Sequence, residues 1–281
     1  MTPGIINGHT ELIAHIGFPT HSFKAPMVYN PWFDKAGINA RVMPMGCQPA
    51  HFAALLKSLF TLINMRGALI TMPHKVATLA LLDEVSPAAA IAGACNAVRL
   101  SPSGQLQGDM FDGEGFVRGL LRKGVVLQGG RALVVGCGGV GSAIAASLAA
   151  AGVARLGLFD VSADSADALR GRLIKHYPSL QVATGSNDPV GFDVVVNGTP
   201  LGMNEGDAMP VDVSRIAPTT FVGEVVMKKE MTAFLAAAKA RGCAVQIGTD
   251  MLFEQVPAYL EFFGYPSTTP EELRAVATLV Y

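Results

Sequence analysis

Charge is scarce in this chain. Of its 281 residues only 15% are charged, and 21 basic side chains nearly balance 22 acidic ones, for a net charge of −1. With no basic run or arm, nucleic acid and anionic membranes are poor candidates for the main partner. Cysteine is sparse as well. Cys47, Cys95, Cys137 and Cys243 are scattered, with no CxxC and no histidine at ligand spacing. That speaks against a disulfide framework or a metal site and for a reducing cytoplasm. Long hydrophobic runs are missing too. The N-terminal "MTPGIINGHTELIAHIG" has no basic segment leading into an apolar run, so no signal peptide is expected. The longest apolar patches, such as "SAIAASLAAAGVA", are too short and too alanine-rich to span a bilayer.

Apolar residues, by contrast, make up half the chain, enough for a sizeable core. Short apolar runs alternate with helix-length amphipathic segments, the pattern of an α/β protein with parallel strands. The spacing predicts strands near residues 12–16, 40–45, 68–71 and 94–100, with helices near 26–36, 49–65 and 74–82. "RLSPSGQLQGD" reads as a hairpin turning on Ser-Pro-Ser-Gly. A helix near 112–123 leads into a second βα series, with strands near 132–135, 155–159, 180–183, 193–196, 221–226 and 244–247. The tail is helical. A boundary near Asp109 divides a first domain, 1–109, from a second, 110–248, with the helices of 249–281 folding back onto the first.

"RALVVGCGGVGSAIAASLAAAG" joins an apolar strand to a glycine loop and a helix of small residues. In that context Gly136 makes the tight turn, Gly138 lets a pyrophosphate approach the backbone, and Gly141 lets helix and strand pack closely. Asp160 ends the next strand about twenty residues on, the spacing of an acid that binds an adenosine ribose. A carboxylate there repels a 2′-phosphate, and "DVSADSAD" supplies no arginine to receive one, so NAD is favoured over NADP. The competing reading is that Asp160 only caps the following helix. "VVVNGTPLGM" places Asn197, Thr199 and Pro200 at the carboxyl end of a buried strand, where cofactors bind; a plain strand-ending turn would look the same.

"GALITMPHKVATLALLD" holds an anomaly. Pro73 suits the first turn of a helix, which puts Lys75 at the positive end of the helix dipole, where a cation is disfavoured. A desolvated lysine suits proton transfer to or from a reacting hydroxyl. The bland alternative is a solvated lysine whose stem covers apolar surface. His74 reads as a surface or capping residue. Asp112 opens a helix, where an acid is a favourable cap.

Together, "IGFPTHSFKAPMVYN", "GALITMPHK", "GACNAV", "QGDMFDGEGF", "GCGGVG", "NGTPLGM" and "GTDMLFEQ" resemble the shikimate dehydrogenase family, including its quinate dehydrogenase relatives, over nearly the whole chain. The resemblance implies an N-terminal α/β substrate domain, a Rossmann-type doubly wound dinucleotide domain and a cleft between them. It implies reversible hydride transfer between a nicotinamide and a ring hydroxyl of a cyclic hydroxy acid. It places the catalytic lysine on Lys75 and its partner aspartate on Asp112. Substrate contacts fall on Ser22, Thr71, Asn96 and Gln255, and Lys24 is either a further ligand for a carboxylate or a lysine that points to solvent. Cofactor contacts fall on Gly136, Gly138, Gly139, Val140, Gly141, Asp160, Asn197, Thr199, Pro200 and Gly248. The implied partners are a small cyclic hydroxy acid and, at most, a second copy of the chain as a homodimer.

Four positions depart from the family pattern. Ser22-Phe23-Lys24 stands where Ser-x-Ser or Ser-x-Thr holds the substrate carboxylate. Leu69 replaces an asparagine, Phe111 a threonine, and Val226 or Met227 a tyrosine. Two alternatives therefore stay open: the same chemistry on an amino-substituted or less hydroxylated ring, and a non-catalytic ligand sensor that keeps the fold.

Overall fold

The computed structural model describes residues 5–21 and 23–279. The predicted substrate contact Ser22 lies outside the described residues. Contacts divide the chain into two compact units. One runs to Phe111 and resumes at Val256; the other is Asp112–Gln255.

The first unit contains β1 (Glu11–Gly17), α1 (Ala25–Ala36), β2 (Ala40–Gly46), α2 (Pro49–Leu59), β3 (Met65–Ile70), α3 (Lys75–Thr78), β4 (Glu84–Val85), α4 (Pro87–Ala92), β5 (Ala97–Leu100) and β6 (Leu106–Asp109). Its six strands form one sheet in the order β2-β1-β3-β5-β6-β4. β1 pairs parallel with both β2 and β3. β5 and β6 run antiparallel as the predicted hairpin. The buried side chains Ala14, Ile16, Phe52, Leu56, Ala68 and Ile70 fill one face, as the alternation along each strand requires.

The helix predicted at 74–82 is much shorter than expected. Only Lys75–Thr78 is α-helical, Leu79–Leu81 tightens into a 3₁₀ turn, and Leu82 is extended. Pro73 lies in the turn before the helix rather than in its first turn. One helical turn aligns few peptide dipoles, so the dipole argument for Lys75 loses most of its force.

The second unit begins with α5 (Asp112–Arg122) and continues through β7 (Arg131–Val135), α6 (Gly139–Ala150), β8 (Arg155–Phe159), α7 (Ala163–His176), β9 (Gln181–Thr184), β10 (Val194–Asn197), β11 (Phe221–Glu224), α8 (Ala233–Ala240) and β12 (Val245–Gln246). The sheet order is β12-β11-β10-β7-β8-β9, and every pairing is parallel. The chain winds outward from β7 to β9, then restarts at β10 on the other side of β7. That reversal is the topological switch point of a doubly wound sheet, where ligands bind beyond the carboxyl ends of the strands.

α9 (Gly248–Phe262) and α10 (Pro270–Val276) complete the chain. α9 serves both units. Its first half pairs with α5, through Lys123 Nζ on Asp250 Oδ2 at 2.7 Å and Arg122 Nε on Glu254 Oε1 at 2.5 Å. A Cβ on Gly115 would run into Gln255 Cβ, so only glycine allows α5 to lie this close to α9. The second half belongs to the first unit, where Tyr259 and Phe262 meet the Phe111 ring at centroid distances of 4.8 and 5.5 Å. The tail stays with that unit: Tyr265 Oη donates to Glu11 Oε2 at 2.9 Å, and Thr278 N donates to Met27 O at 3.1 Å. Among the described residues, no helix is long and apolar enough to cross a membrane.

Candidate active site

In the second unit the glycine loop follows β7. Gly136 sits at φ 96°, a conformation side chains resist. A Cβ on Gly141 would collide with the Gly136 carbonyl oxygen, so helix and strand can approach this closely only at glycine. Gly138 differs. It caps α6, and a Cβ there would enter open space. The loop thus leaves room in front of the first turn of α6, the turn containing Gly139, Val140 and Gly141, whose unpaired N–H groups attract an anion. These residues fit a dinucleotide pyrophosphate.

Asp160, at the end of β8, is tied into this loop. Its Oδ2 accepts the Cys137 N–H at 2.7 Å and its Oδ1 accepts the Ser162 N–H at 2.9 Å. Ser162, not Asp160, caps α7, accepting the Ser165 N–H. On the far side of β7, Asn197 ends β10 with its side chain fully buried. Its Oδ1 accepts Thr199 Oγ1 at 2.6 Å and Nδ2 donates to Leu201 O at 2.9 Å, which folds Asn197-Gly198-Thr199-Pro200 back on itself. That turn packs on the glycine loop, because a Cβ on Gly136 would touch Thr199 Cγ2. A Cβ on Gly248 would strike the Val226 carbonyl, so α9 also starts by a close backbone approach.

A titratable group that the sequence reading missed lies under this turn. Glu224 ends β11 beside Asn197 in the parallel ladder and is fully buried. Thr232 Oγ1 donates to its Oε2 at 2.9 Å, while Oε1 has no hydrogen-bond partner. Burial pushes its carboxyl up to about 7, against the opposing effect of hydrogen bonds from Thr232 and Asn197.

In the first unit, Lys75 opens α3, and its carbonyl accepts the Cys95 N–H at 2.9 Å. Asn96 immediately precedes β5 and is 1% exposed; its Oδ1 accepts the Phe111 N–H at 2.9 Å, and its buried Nδ2 has no partner. Thr71 follows β3, its N–H donating to Ile16 O at 2.9 Å. A Cβ on Gly17 would meet both Thr71 Cγ2 and Phe23 Cζ, so those side chains share the carboxyl end of β1. Lys24 is half-buried at the start of α1. Thr71, Lys75, Asn96 and Lys24 therefore belong to the first unit. Asp112, buried at the start of α5, and Gln255, with a buried and unpartnered Oε1, belong to the second.

One histidine escaped the sequence reading, and another is buried where the sequence predicts a surface or capping residue. His15 lies on β1, its Nδ1 buried without a partner and its ring stacked on Phe23 at 4.1 Å. Burial, and next the positive charge of Lys75, push it down to about 3, so the imidazole is neutral. A lone histidine in the apolar alternation "ELIAHIG" was the available signal. His74 is 1% exposed and caps nothing. The apolar substitutions have found places in the core: Leu69 is 4% and Phe111 6% exposed, the latter inside the aromatic cluster of α9. Among the described residues no cluster of His, Cys, Asp or Glu could hold a metal ion.

Comparison with known proteins agrees with this architecture. Residues 16–98 match a family model described as the shikimate dehydrogenase substrate binding domain. Over 276 residues the chain is 36% identical to a shikimate dehydrogenase (NADP(+)) of Acidiphilium cryptum, covering 97% of this chain and 98% of that protein. The chain belongs to the shikimate dehydrogenase family. Its fold superposes on a shikimate 5-dehydrogenase of Listeria monocytogenes, crystallised with shikimate and NAD, with a TM-score of 0.90 at 25% identity, covering 97% of this chain and 98% of that one. It also matches a ligand-free 5-ketofructose reductase of Gluconobacter sp. with a TM-score of 0.87 at 26% identity, covering 96% and 99%. Shikimate dehydrogenases are NAD(P)-dependent oxidoreductases, and both the α/β fold and the doubly wound second sheet of this chain are those of the family.

Proposed function

We propose that this chain catalyses reversible, NAD(P)-dependent hydride transfer at a ring hydroxyl of shikimate, quinate or a related cyclic hydroxy acid. The observation that carries the proposal is the glycine loop at the switch point of the parallel sheet. Gly136 and Gly141 permit its close packing, and Gly138 leaves the space a pyrophosphate needs. When bound, the dinucleotide supplies the hydride acceptor or donor. Gly136, Gly138, Gly139, Val140 and Gly141 hold its phosphates, Asn197, Thr199, Pro200 and Gly248 line its nicotinamide end, and Asp160 receives the adenosine ribose. The fixed carboxylate of Asp160 favours two free hydroxyls over a 2′-phosphate, so NAD is the preferred form.

Alcohol oxidation also requires the hydroxyl proton to leave, and carbonyl reduction requires one to be delivered. We assign that proton to Lys75, with Asp112 as its carboxylate partner. Asn96, with an amide nitrogen buried and unpartnered, offers a donor to a ring oxygen. Thr71 and Gln255 contribute further polar contacts, and Ser22 and Lys24 receive the carboxylate. The first unit is the substrate domain and the second the cofactor domain.

A second reading, the same chemistry on a less hydroxylated or amino-substituted ring, is favoured by Leu69. A polyol hydroxyl facing that buried leucine would lose a partner, at about 1–3 kcal/mol. Both readings meet one assay: NAD(P)H formation with shikimate, quinate and their deoxy and amino analogues, for wild type and Lys75→Ala. The alanine variant is expected to lose about 10²-fold or more in kcat. Full activity in Lys75→Ala, or no turnover of any ring acid, refutes the proposal. A strong preference for the fully hydroxylated ring removes the second reading.

A further inference from the structure

The turn that carries Lys75 cannot hold itself. α3 has four residues, and isolated helices shorter than about 12–15 residues are marginal in water. Its shape must come from tertiary ties, and several of these run through the preceding residue. The His74 ring is buried, with Nε2 2.8 Å from the carbonyl oxygen of Cys47, 27 residues away in sequence. A carbonyl only accepts, so Nε2 carries the hydrogen and donates it. The ring lies flat on Phe52 of α2, with centroids 4.1 Å apart and planes 4° from parallel. Cys47 is itself anchored, its N–H donating to Gly17 O at 3.0 Å.

The His74 backbone is equally committed. Its N–H donates to Thr71 O at 3.0 Å, and its carbonyl accepts both the N–H and the Oγ1 of Thr78, at 3.0 and 2.9 Å. On the other side of Lys75, its own carbonyl takes the Cys95 N–H. The lysine backbone is thus fixed between two anchors, one through a side chain and one through the main chain.

We propose that His74 is a positioning residue for the reaction, acting through Lys75: its ring clamps the one-turn helix to Cys47 and Phe52 and so sets where the lysine amine stands. This rests on the assignment of Lys75 to proton transfer. It gives His74 no proton-transfer role of its own: its Nε2 is spent on the Cys47 carbonyl.

The test is a double-mutant cycle in the full chain. His74→Phe keeps an aromatic ring to stack on Phe52 and removes the donor. His74→Gln keeps an N–H donor and removes the stack. Each is made alone and with Lys75→Ala, and kcat, KM for the ring acid and KM for NAD(P) are measured with shikimate or quinate. Misplacement by about 1 Å can cost on the order of 10²-fold, so His74→Phe is expected to lower kcat between about 10- and 100-fold. KM for the dinucleotide should stay within about twofold, since His74 and the glycine loop belong to different units, and His74→Gln should recover part of the rate. In the Lys75→Ala background neither substitution should lower the rate further. Amide hydrogen exchange should quicken across Lys75–Thr78 and stay unchanged in α6.

A kcat within about threefold of wild type in His74→Phe, or losses that multiply with that of Lys75→Ala, overturns the proposal. If His74→Phe does not fold, the cycle with His74→Gln decides: a loss that multiplies with that of Lys75→Ala overturns the proposal. Full activity in Lys75→Ala instead defeats the assignment of the lysine, a result separable from either.

Discussion

Glu224 gives the sharpest test of the electrostatics. It is fully buried at the end of β11, and its carboxyl is pushed from an ordinary 4.5 up to about 7. Folding therefore favours the protonated form. The associated stability is fully present below pH 4.5 and is lost as pH rises through about 7. At about 1.4 kcal/mol for each tenfold change in proton affinity, the gap from 4.5 to 7 amounts to about 3 kcal/mol. Glu224→Gln removes the titration and keeps an oxygen to accept from Thr232 Oγ1. Urea unfolding of both proteins at several pH values between about 5 and about 9 should show wild type losing stability relative to the variant. The relative slope should be about 1.4 kcal/mol per pH unit up to about pH 7, then level off. Parallel pH profiles for the two proteins would show that the carboxyl titrates normally and that the burial argument is wrong.

Two further outcomes follow from packing. Gly141→Ala drives a methyl group into the Gly136 carbonyl oxygen, so the glycine loop must open. Dinucleotide binding, followed by fluorescence titration, should weaken by at least about tenfold, and unchanged affinity would show that the loop is not under this constraint. All four cysteines are buried, and burial pushes the Cys95 and Cys137 thiols up to about 12. Treatment of native protein with a thiol-reactive dye near pH 8 should therefore label them far more slowly than in guanidinium-unfolded protein, and rapid native labelling of either would contradict their placement.

Much of the second unit could be read directly from the chain. Its strands are short apolar runs, each followed by a helix or a turn signal, and Gly136 and Gly141 stand where the backbone crowds itself. The element order and the site at the carboxyl end of β7 follow from local pattern and the handedness of βαβ connections. The first unit was harder. α4 and β4 went unread because both are short, six and two residues, too brief for periodicity to show. The 74–82 segment looked like a continuous helix, yet the chain turns extended at Leu82. Its apolar residues obey a helical spacing that packing around them overrides.

The sequence by itself determined the fold class, the family and the identity of the groups offered for chemistry. Those depend on residue type and order: glycine where φ is positive or backbones touch, an amine and an acid in recognisable segments. Only tertiary structure decided the burial of His74, His15 and Glu224, the capture of Phe111 by the aromatic side of α9, and the tie from Asp160 to the glycine loop. A histidine is written the same way whether it faces water or a phenylalanine ring. The chemistry of His74 depends on neighbours distant in sequence, such as Cys47, 27 residues away, which no local spacing reports.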